Sequence, residues 1–310
     1  MKILIIKPSS FGDIVKALPC ANALKQAYHH MCEISWVVFN RWASILKICS
    51  DVDKIIKWDR EKGLKGFFEV LKKINETEYD LIMDLQGLLR SAFLAKFARA
   101  KIKLGVPGMK EFSNLLIKEV YPENAGLNST LRSLEPVRFL TGKIFHPEVN
   151  MKIDSNADEI LQDNGISGDF ISLIPFARGK GKDWSILNYN KLIDLIKKEY
   201  FNVQIVILGS VKDFGKLKSD KVIDLCGKTE IEDVAGILLK SKVAVGADTG
   251  PMHLSSILQT PSVFILGTLN IDDASPYMGK FSLLLNENDA KNINAVKPEN
   301  VFSEIRKWMR

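Results

Sequence analysis

Lys2-Ile3-Leu4-Ile5-Ile6-Lys7-Pro8-Ser9-Ser10-Phe11-Gly12-Asp13-Ile14-Val15-Lys16-Ala17-Leu18 decides the fold class. Its opening is a short apolar run bounded by lysines, the pattern of a buried strand. From Asp13 onward Ile14, Val15, Ala17, Leu18, Ala21 and Leu24 recur at helical spacing. Strand, tight loop and helix form one unit of a parallel sheet, because a crossover helix returns the chain to lay the next strand alongside the first. The unit repeats. Residues 34–38, 54–58 and 79–85 are predicted as strands, with helices over 43–48, 66–74 and 88–99. Between 141 and 156 the periodicity lapses into Gly, Pro, His and Asn, which reads as a linker. A second alternation follows, with strands at 170–175, 203–208, 243–246 and 262–266 and helices at 187–198, 231–240 and 252–258. The last stretch, 298–310, is amphipathic, with Val301, Ile305, Trp308 and Met309 on one side.

The fold class expected is therefore α/β, and 310 residues suit two domains of ordinary size better than one. The division expected is an N-terminal domain over 1–150 and a second over 151–294, with 295–310 packing back on the first. Cys20, Cys32, Cys49 and Cys226 lack the spacing of a zinc or redox site and the density of a disulfide scaffold, which suits a reducing cytoplasm. The apolar run at the N-terminus is too short for a signal-peptide core, and no stretch approaches the roughly 20 apolar residues that span a bilayer. The net charge of +6 is unevenly placed: residues 1–150 carry 23 Lys and Arg against 16 Asp and Glu, the remainder 20 against 21. An anionic ligand or membrane surface on the first half accounts for that asymmetry, and so does a solvated lysine-rich surface.

In open parallel sheets ligands bind at the carboxyl ends of strands, where helix N-termini present unpaired N–H groups. Three loops stand there. In the first, 7–13, Asp13 reads either as a helix cap or as a catalytic carboxylate, and no G-x-G-x-x-G fingerprint is present. The second, Pro175-Phe176-Ala177-Arg178-Gly179-Lys180-Gly181-Lys182-Asp183-Trp184, has three cations and two glycines, which fit a diphosphate or an ordinary exposed basic loop. In the third, Gly246-Ala247-Asp248-Thr249-Gly250-Pro251-Met252-His253-Leu254, proline in the first helical turn leaves neighbouring N–H groups to meet an anion; a cap with a packed histidine is the alternative. Three other segments imitate sites. Residues 209–217 resemble a P-loop but have five residues between the glycines and no Ser or Thr after the lysine. Asp51-Val52-Asp53 has a D-x-D form but precedes a strand, at the wrong end for a ligand, and His29-His30 lacks a third ligand at metal-binding spacing.

The motifs in combination resemble glycosyltransferase family 9, the heptosyltransferases. Residues 7–13 are similar to the family's opening K-x-S-S-x-G-D, followed by Leu18-Pro19. Tyr79-Asp80-Leu81-Ile82-Met83-Asp84-Leu85-Gln86-Gly87-Leu88-Leu89-Arg90-Ser91 is similar to its Y-D-x-x-x-D-x-Q-G-x-x-K/R-S segment. Lys182-Asp183-Trp184 is similar to K-x-W, and residues 248–254 match D-T-G-x-x-H-L. They occur in the family's order. Ser185 departs from the family's usual proline after the tryptophan, and 268–277 follows no assignable form.

The resemblance implies the GT-B fold, two Rossmann-like domains facing across a cleft, the first holding the acceptor and the second the nucleotide. It implies inverting heptose transfer from ADP-heptose, with Asp13 as general base and Lys182 with the amides after Asp248 stabilising the departing diphosphate in place of a metal. On that reading Lys182, Asp248, Thr249, Gly250, Pro251, Met252 and His253 hold the nucleotide. Thr229 is a weaker candidate for the adenosine wall, and Asp213 one for the ribose. Ser9, Ser10, Gly12, Arg60, Lys62, Gln86 and Arg90 are the acceptor-side candidates, each cation also readable as ordinary surface charge. The partners implied are a sugar nucleotide and an anionic core-lipid acceptor of lipopolysaccharide, with no nucleic acid. The chain is expected to be a cytoplasmic monomer, able to associate with the inner face of the membrane. Two alternatives stay open: a transferase of the same family with another donor or acceptor, and a nucleotide-binding module without catalysis, against which the presence of both Asp13 and Lys182 argues.

Overall fold

A computed structural model describes residues 1–122, 128–177, 183–213, 215–217, 220–268 and 270–309. The chain divides into two compact units, Met1–Lys152 and Ile153–Arg310.

In the first unit the chain runs β1 (Lys2–Ile6), α1 (Phe11–Ala17), α2 (Pro19–Ala27), β2 (Glu33–Phe39), β3 (Lys54–Trp58), α3 (Gly63–Ile74), β4 (Tyr79–Asp84), α4 (Leu89–Phe97), β5 (Ala100–Gly105), β6 (Lys118–Glu119) and α5 (Ser129–Thr141). Every strand pairing is parallel and the sheet order is β3-β2-β1-β4-β5-β6. β1 is central and covered on both faces, which is why Ile3, Leu4, Ile5 and Ile6 are all apolar and all fully buried. Each such side chain contributes about 1.5–3 kcal/mol by leaving water. α2 and α1 pack with α5, whereas α3 lies on β3 and α4 on β4 and β5, beside α3. The order turns back between β1 and β4, so the connections that leave their carboxyl ends turn to opposite faces of the sheet, which makes this the switch point where such sheets bind ligands.

The sequence reading passed over β5, β6 and α5. Lys101 and Lys103 of β5 stand near the sheet edge and break its apolar run, and Pro136 interrupts the helical pattern of α5. The short helix expected over 43–48 is a 3-10 turn, Asn40–Leu46.

The second unit runs α6 (Ala157–Asp163), β7 (Phe170–Ile174), α7 (Ile186–Glu199), β8 (Gln204–Ile207), β9 (Ile223–Asp224), α8 (Ile231–Lys240), β10 (Val243–Ala247), α9 (Gly250–Ile257), β11 (Ser262–Ile265), α10 (Ile271–Ala274), β12 (Phe281–Leu284) and α11 (Pro298–Trp308). Its parallel sheet is ordered β12-β11-β10-β7-β8-β9, the same winding as the first, with its switch point between β7 and β10. Residues 298–308, expected on the first domain, belong to this unit. Val301 and Ile305 are buried in one cluster with Ile193 and Ile196 of α7 and Val263 and Ile265 of β11, and Arg306 Nε pairs with Glu199 at 2.9 Å. The apolar side of α11 completes a stripe that α7 leaves open, and that local burial decides its place.

Candidate active site

At the first switch point the loop after β1 meets the loop after β4. Ile6 is in register with Asp84, and the Ser9 N–H donates to Gln86 Oε1 at 3.4 Å. Asp13 is the third residue of α1, and its Oδ2 accepts from both the Ser10 N–H (3.0 Å) and the Ser10 hydroxyl (2.7 Å). Both bonds use one oxygen. Among the described residues Oδ1 accepts nothing, and the side chain is exposed. Asp13 therefore braces its helix start with one oxygen and presents the other. Crowding by the loop withdraws the carboxylate from water, which raises its pKa. The Lys7 ammonium, the two Ser10 bonds and Lys16 outweigh that and hold it below the usual carboxylate value. Half-buried Gly12 lies beside it in the same turn.

Asp84, at the end of β4, is fully buried. Its Oδ1 accepts from the N–H groups of Gln86 (2.9 Å) and Gly87 (3.2 Å), and its Oδ2 from the Ser91 hydroxyl at 2.8 Å. Burial pushes its pKa up to about 6 against the pull of those donors and of Lys7. Gly87 takes a left-handed φ of 66°, and a Cβ there would meet Val106 Cγ1 at 3.2 Å, so the turn requires glycine. Lys7 is half-buried at the mouth of β1 with Asp13 and Asp84 as its nearest opposite charges. Desolvation lowers its pKa, the two carboxylates raise it, Arg132 and Lys16 lower it, and the net shift is downward. Neither Lys7 nor Asp84 was singled out as a site residue from the sequence, although both sit inside the matched motifs.

Along the same strand-end edge, Arg60 follows β3 and Arg90 opens α4. The guanidinium of each lies 5.6 Å from the Phe39 ring centroid, and Arg90 also lies 5.7 Å from that of Trp58. Desolvation and then the charge of Arg60 depress Arg90, partly offset by Glu111. Two exposed cations thus share an aromatic shelf, and among the described residues neither has a carboxylate ion-pair partner. That arrangement favours an anion placed between them. Lys62 is different, because its ammonium is taken up by Glu69 at 2.9 Å.

At the second switch point Gly246 is in register with Ile174, so the loops after β7 and β10 adjoin. Residues 178–182, and with them Lys182, lie outside the described residues. The Ala177 N–H donates to Asp183 Oδ1 at 2.5 Å. Trp184 beyond it is buried, its Nε1 donating to the Val296 carbonyl at 2.9 Å. Ser185 caps α7 by accepting from the Asn188 N–H at 3.2 Å, doing with a side chain what proline does with a restrained φ. After β10, Thr249 is the residue before α9, with Pro251 in the first turn. Its hydroxyl makes no capping bond, and Oγ1 is buried without a hydrogen-bond partner among the described residues. Met252 is fully buried, leaving only its N–H for a ligand. His253 is buried against Phe264, with Nε2 2.8 Å from Asp248 Oδ1, so it fixes the loop carboxylate from within the core.

Two nucleotide candidates fare differently. The Thr229 Oγ1 is buried and has no hydrogen-bond partner among the described residues. Asp213 is engaged on both oxygens, Oδ2 by the Ser210 N–H and hydroxyl and Oδ1 by Lys216 Nζ at 2.7 Å. Lys216, the lysine of the rejected P-loop likeness, also lies 5.2 Å from the Phe176 ring centroid at the mouth of β7. The D-x-D segment holds structure together: Asp53 Oδ2 accepts from Lys25 Nζ and the Ile34 N–H at 2.7 and 2.6 Å. Among the described residues no group of three or more His, Cys, Asp or Glu is placed to hold a metal ion. Among them also, no helix is long and apolar enough to cross a membrane.

Residues 67–302 match the model of glycosyltransferase family 9 (heptosyltransferase). Lipopolysaccharide heptosyltransferase 1 of Campylobacter coli is 26% identical over 293 residues, covering 86% of this chain and 84% of that protein. A glycosyltransferase family 9 structure from Veillonella parvula superposes with a TM-score of 0.87 at 17% identity over 99% of this chain and 97% of that one. The ADP-heptose lps heptosyltransferase II of E. coli gives 0.83 at 20% identity, over 100% and 98% of the two chains. The two six-stranded parallel sheets are those of the GT-B fold. The chain belongs to glycosyltransferase family 9, the heptosyltransferases, and is an enzyme of that glycosyltransferase class.

Proposed function

We propose that the enzyme transfers heptose from ADP-heptose to a Kdo or heptose residue of the lipopolysaccharide inner core, with inversion and without a metal ion. The observation that carries this reading is the Asp13 carboxylate at the first switch point, braced through Oδ2 while Oδ1 accepts no hydrogen bond among the described residues. Family membership and the names of the relatives, which include lipopolysaccharide heptosyltransferases and an ADP-heptose enzyme, support the donor and acceptor.

Oδ1 takes the proton of the acceptor hydroxyl as that oxygen attacks the anomeric carbon, and the bond to the ADP oxygen breaks in the same in-line step. A base with a lowered pKa stays ionised at neutral pH but is weak, so proton transfer comes late, when the attacking oxygen has become acidic. A positioned base is worth about 10² to 10⁴ in rate. The Arg60 and Arg90 pair suits the carboxylates and phosphates of the acceptor. The Thr249 hydroxyl, the amides at the start of α9 and Lys182 take the charge that grows on the leaving diphosphate. The enzyme acts as a monomer at the cytoplasmic face of the membrane.

Asp13→Ala is expected to lower turnover by about 10² to 10⁴ while leaving ADP affinity, measured by calorimetry, nearly unchanged. Lys182→Ala weakens both. Near-normal turnover by Asp13→Ala refutes the base, and loss of activity in excess chelator that magnesium restores refutes the metal-free step.

A further inference from the structure

The first unit carries apolar surface that its own fold leaves uncovered. On α3, Gly66, Val70 and Ile74 are buried, while Leu64 and Phe68 are 79% and 63% exposed. α4 lies beside α3 and adds Phe97, 58% exposed and stacked on Phe93 at 6.0 Å. The turn Ser113–Leu115 packs on α4 in its turn, and there Phe112 and Leu115 are 81% and 79% exposed. Glu111 and Phe112 both have φ of 58°, two successive non-glycine residues in the left-handed region. Hydrogen bonds hold that costly turn: the Leu89 N–H donates to Glu111 Oε2 at 3.0 Å, and the Lys110 N–H to the Gly87 carbonyl at 2.8 Å. The backbone is thus held with an aromatic ring in water, next to the loop after β4.

The fringe of this face is basic. Lys65, Lys72 and Lys73 on α3, Lys96 on α4 and Lys110 on the turn are exposed. Glu69 is paired with Lys62 and Glu111 is bound to the Leu89 N–H, while Glu76, just past the end of α3, is an exposed acid at one corner. The face is also continuous with the arginine pair. Trp58, on which Arg90 lies, meets Phe67 edge-on at 6.1 Å, and Phe67 meets Phe68 at 5.6 Å. An exposed apolar patch rimmed by cations marks an interaction surface. A second copy of the chain docking here about a two-fold axis sets the same lysines against each other, whereas an anionic bilayer neutralises them.

We propose that the face formed by α3, α4 and residues 110–115 docks on an anionic phospholipid surface, its aromatic rings entering the interface and its lysines meeting the headgroups, so that the arginine pair stands at the membrane. The proposal rests on the lipid-linked acceptor proposed above.

The full-length enzyme is sedimented with vesicles of phosphatidylcholine alone and with vesicles containing phosphatidylglycerol. Binding is expected only to the anionic vesicles and to fall with salt. Phe68→Ser and Phe112→Ser should each weaken partitioning about tenfold, and Lys65→Gln and Lys72→Gln about fivefold each. Each variant is also assayed on a truncated, water-soluble acceptor, where turnover equal to wild type shows that fold and site are intact. Wild type that stays in the supernatant, or variants that fold and sediment as wild type does, overturn the proposal. A dimer in sedimentation velocity that Phe68→Ser abolishes assigns the face to a second copy and overturns it too. Absence of turnover on the soluble acceptor by wild type that still binds anionic vesicles counts against the proposed acceptor, and leaves the docking face standing.

Discussion

Replacing Asp84 by asparagine isolates the energetic cost of organising the first switch point. The carboxyl is fully buried and its pKa stands at about 6, against an ordinary value of 3.8. A carboxyl with a raised folded-state pKa binds its proton more tightly in the folded than in the unfolded chain. The stability that this proton confers is complete below about pH 4 and is lost as pH rises through 6. At about 1.4 kcal/mol per pH unit the loss amounts to roughly 3 kcal/mol. Asparagine keeps an oxygen for the N–H groups of Gln86 and Gly87 and an amide for Ser91 Oγ, and it carries no charge to bury. Urea denaturation of wild type and Asp84→Asn, followed by tryptophan fluorescence from pH 4 to 8, should therefore show a stability difference that moves by about 3 kcal/mol in the variant's favour as pH rises. A pH-independent difference refutes the buried, strained carboxylate. Asp84→Ala serves as the contrast: it takes the acceptor from the Gln86 and Gly87 N–H groups and should be less stable than Asp84→Asn by about 2–4 kcal/mol at every pH, with the same pH drift against wild type.

Two further outcomes follow from neighbouring residues. Lys7→Met removes the cation that most lowers the Asp13 pKa, so the acid limb of kcat/KM, below the usual carboxylate range in wild type, should move upward; an unmoved limb shows that Lys7 does not act on the base. Ser185→Ala deletes the side-chain cap of α7 and should lower stability by about 1 kcal/mol in thermal unfolding, while Ser185→Pro also removes the N–H that donates to Asn294 Oδ1 at 2.6 Å and should be no more stable than Ser185→Ala.

Apolar periodicity made the alternation of strands and helices readable, because strands covered on both faces are written as unbroken aliphatic runs and crossover helices as stripes. Lys2–Ile6, Lys54–Trp58 and Ile231–Lys240 emerge within a residue or so of their expected bounds. β5 did not, because a strand near a sheet edge tolerates Lys101 and Lys103 on its open side. The described motif residues stand at strand ends, in the loops that follow or in the first turns of the next helix, as Asp84, Gln86, Asp13 and His253 do, and parallel sheets gather such positions at one edge.

What the chain's order of residues determined by itself was the class of fold, two windings of a parallel sheet, and the candidate loops at its strand ends. Only the tertiary structure decided which loops meet, and hence that Lys7 stands with Asp13 and Asp84, that Arg60 and Arg90 share one aromatic shelf, and that Lys62 and Asp213 are already engaged. It also decided that α11 completes the second unit. The physical reason is the same throughout. Periodicity records which side of an element is buried, a local property, whereas the partner that buries it and the charge that faces it come from residues dozens of positions away.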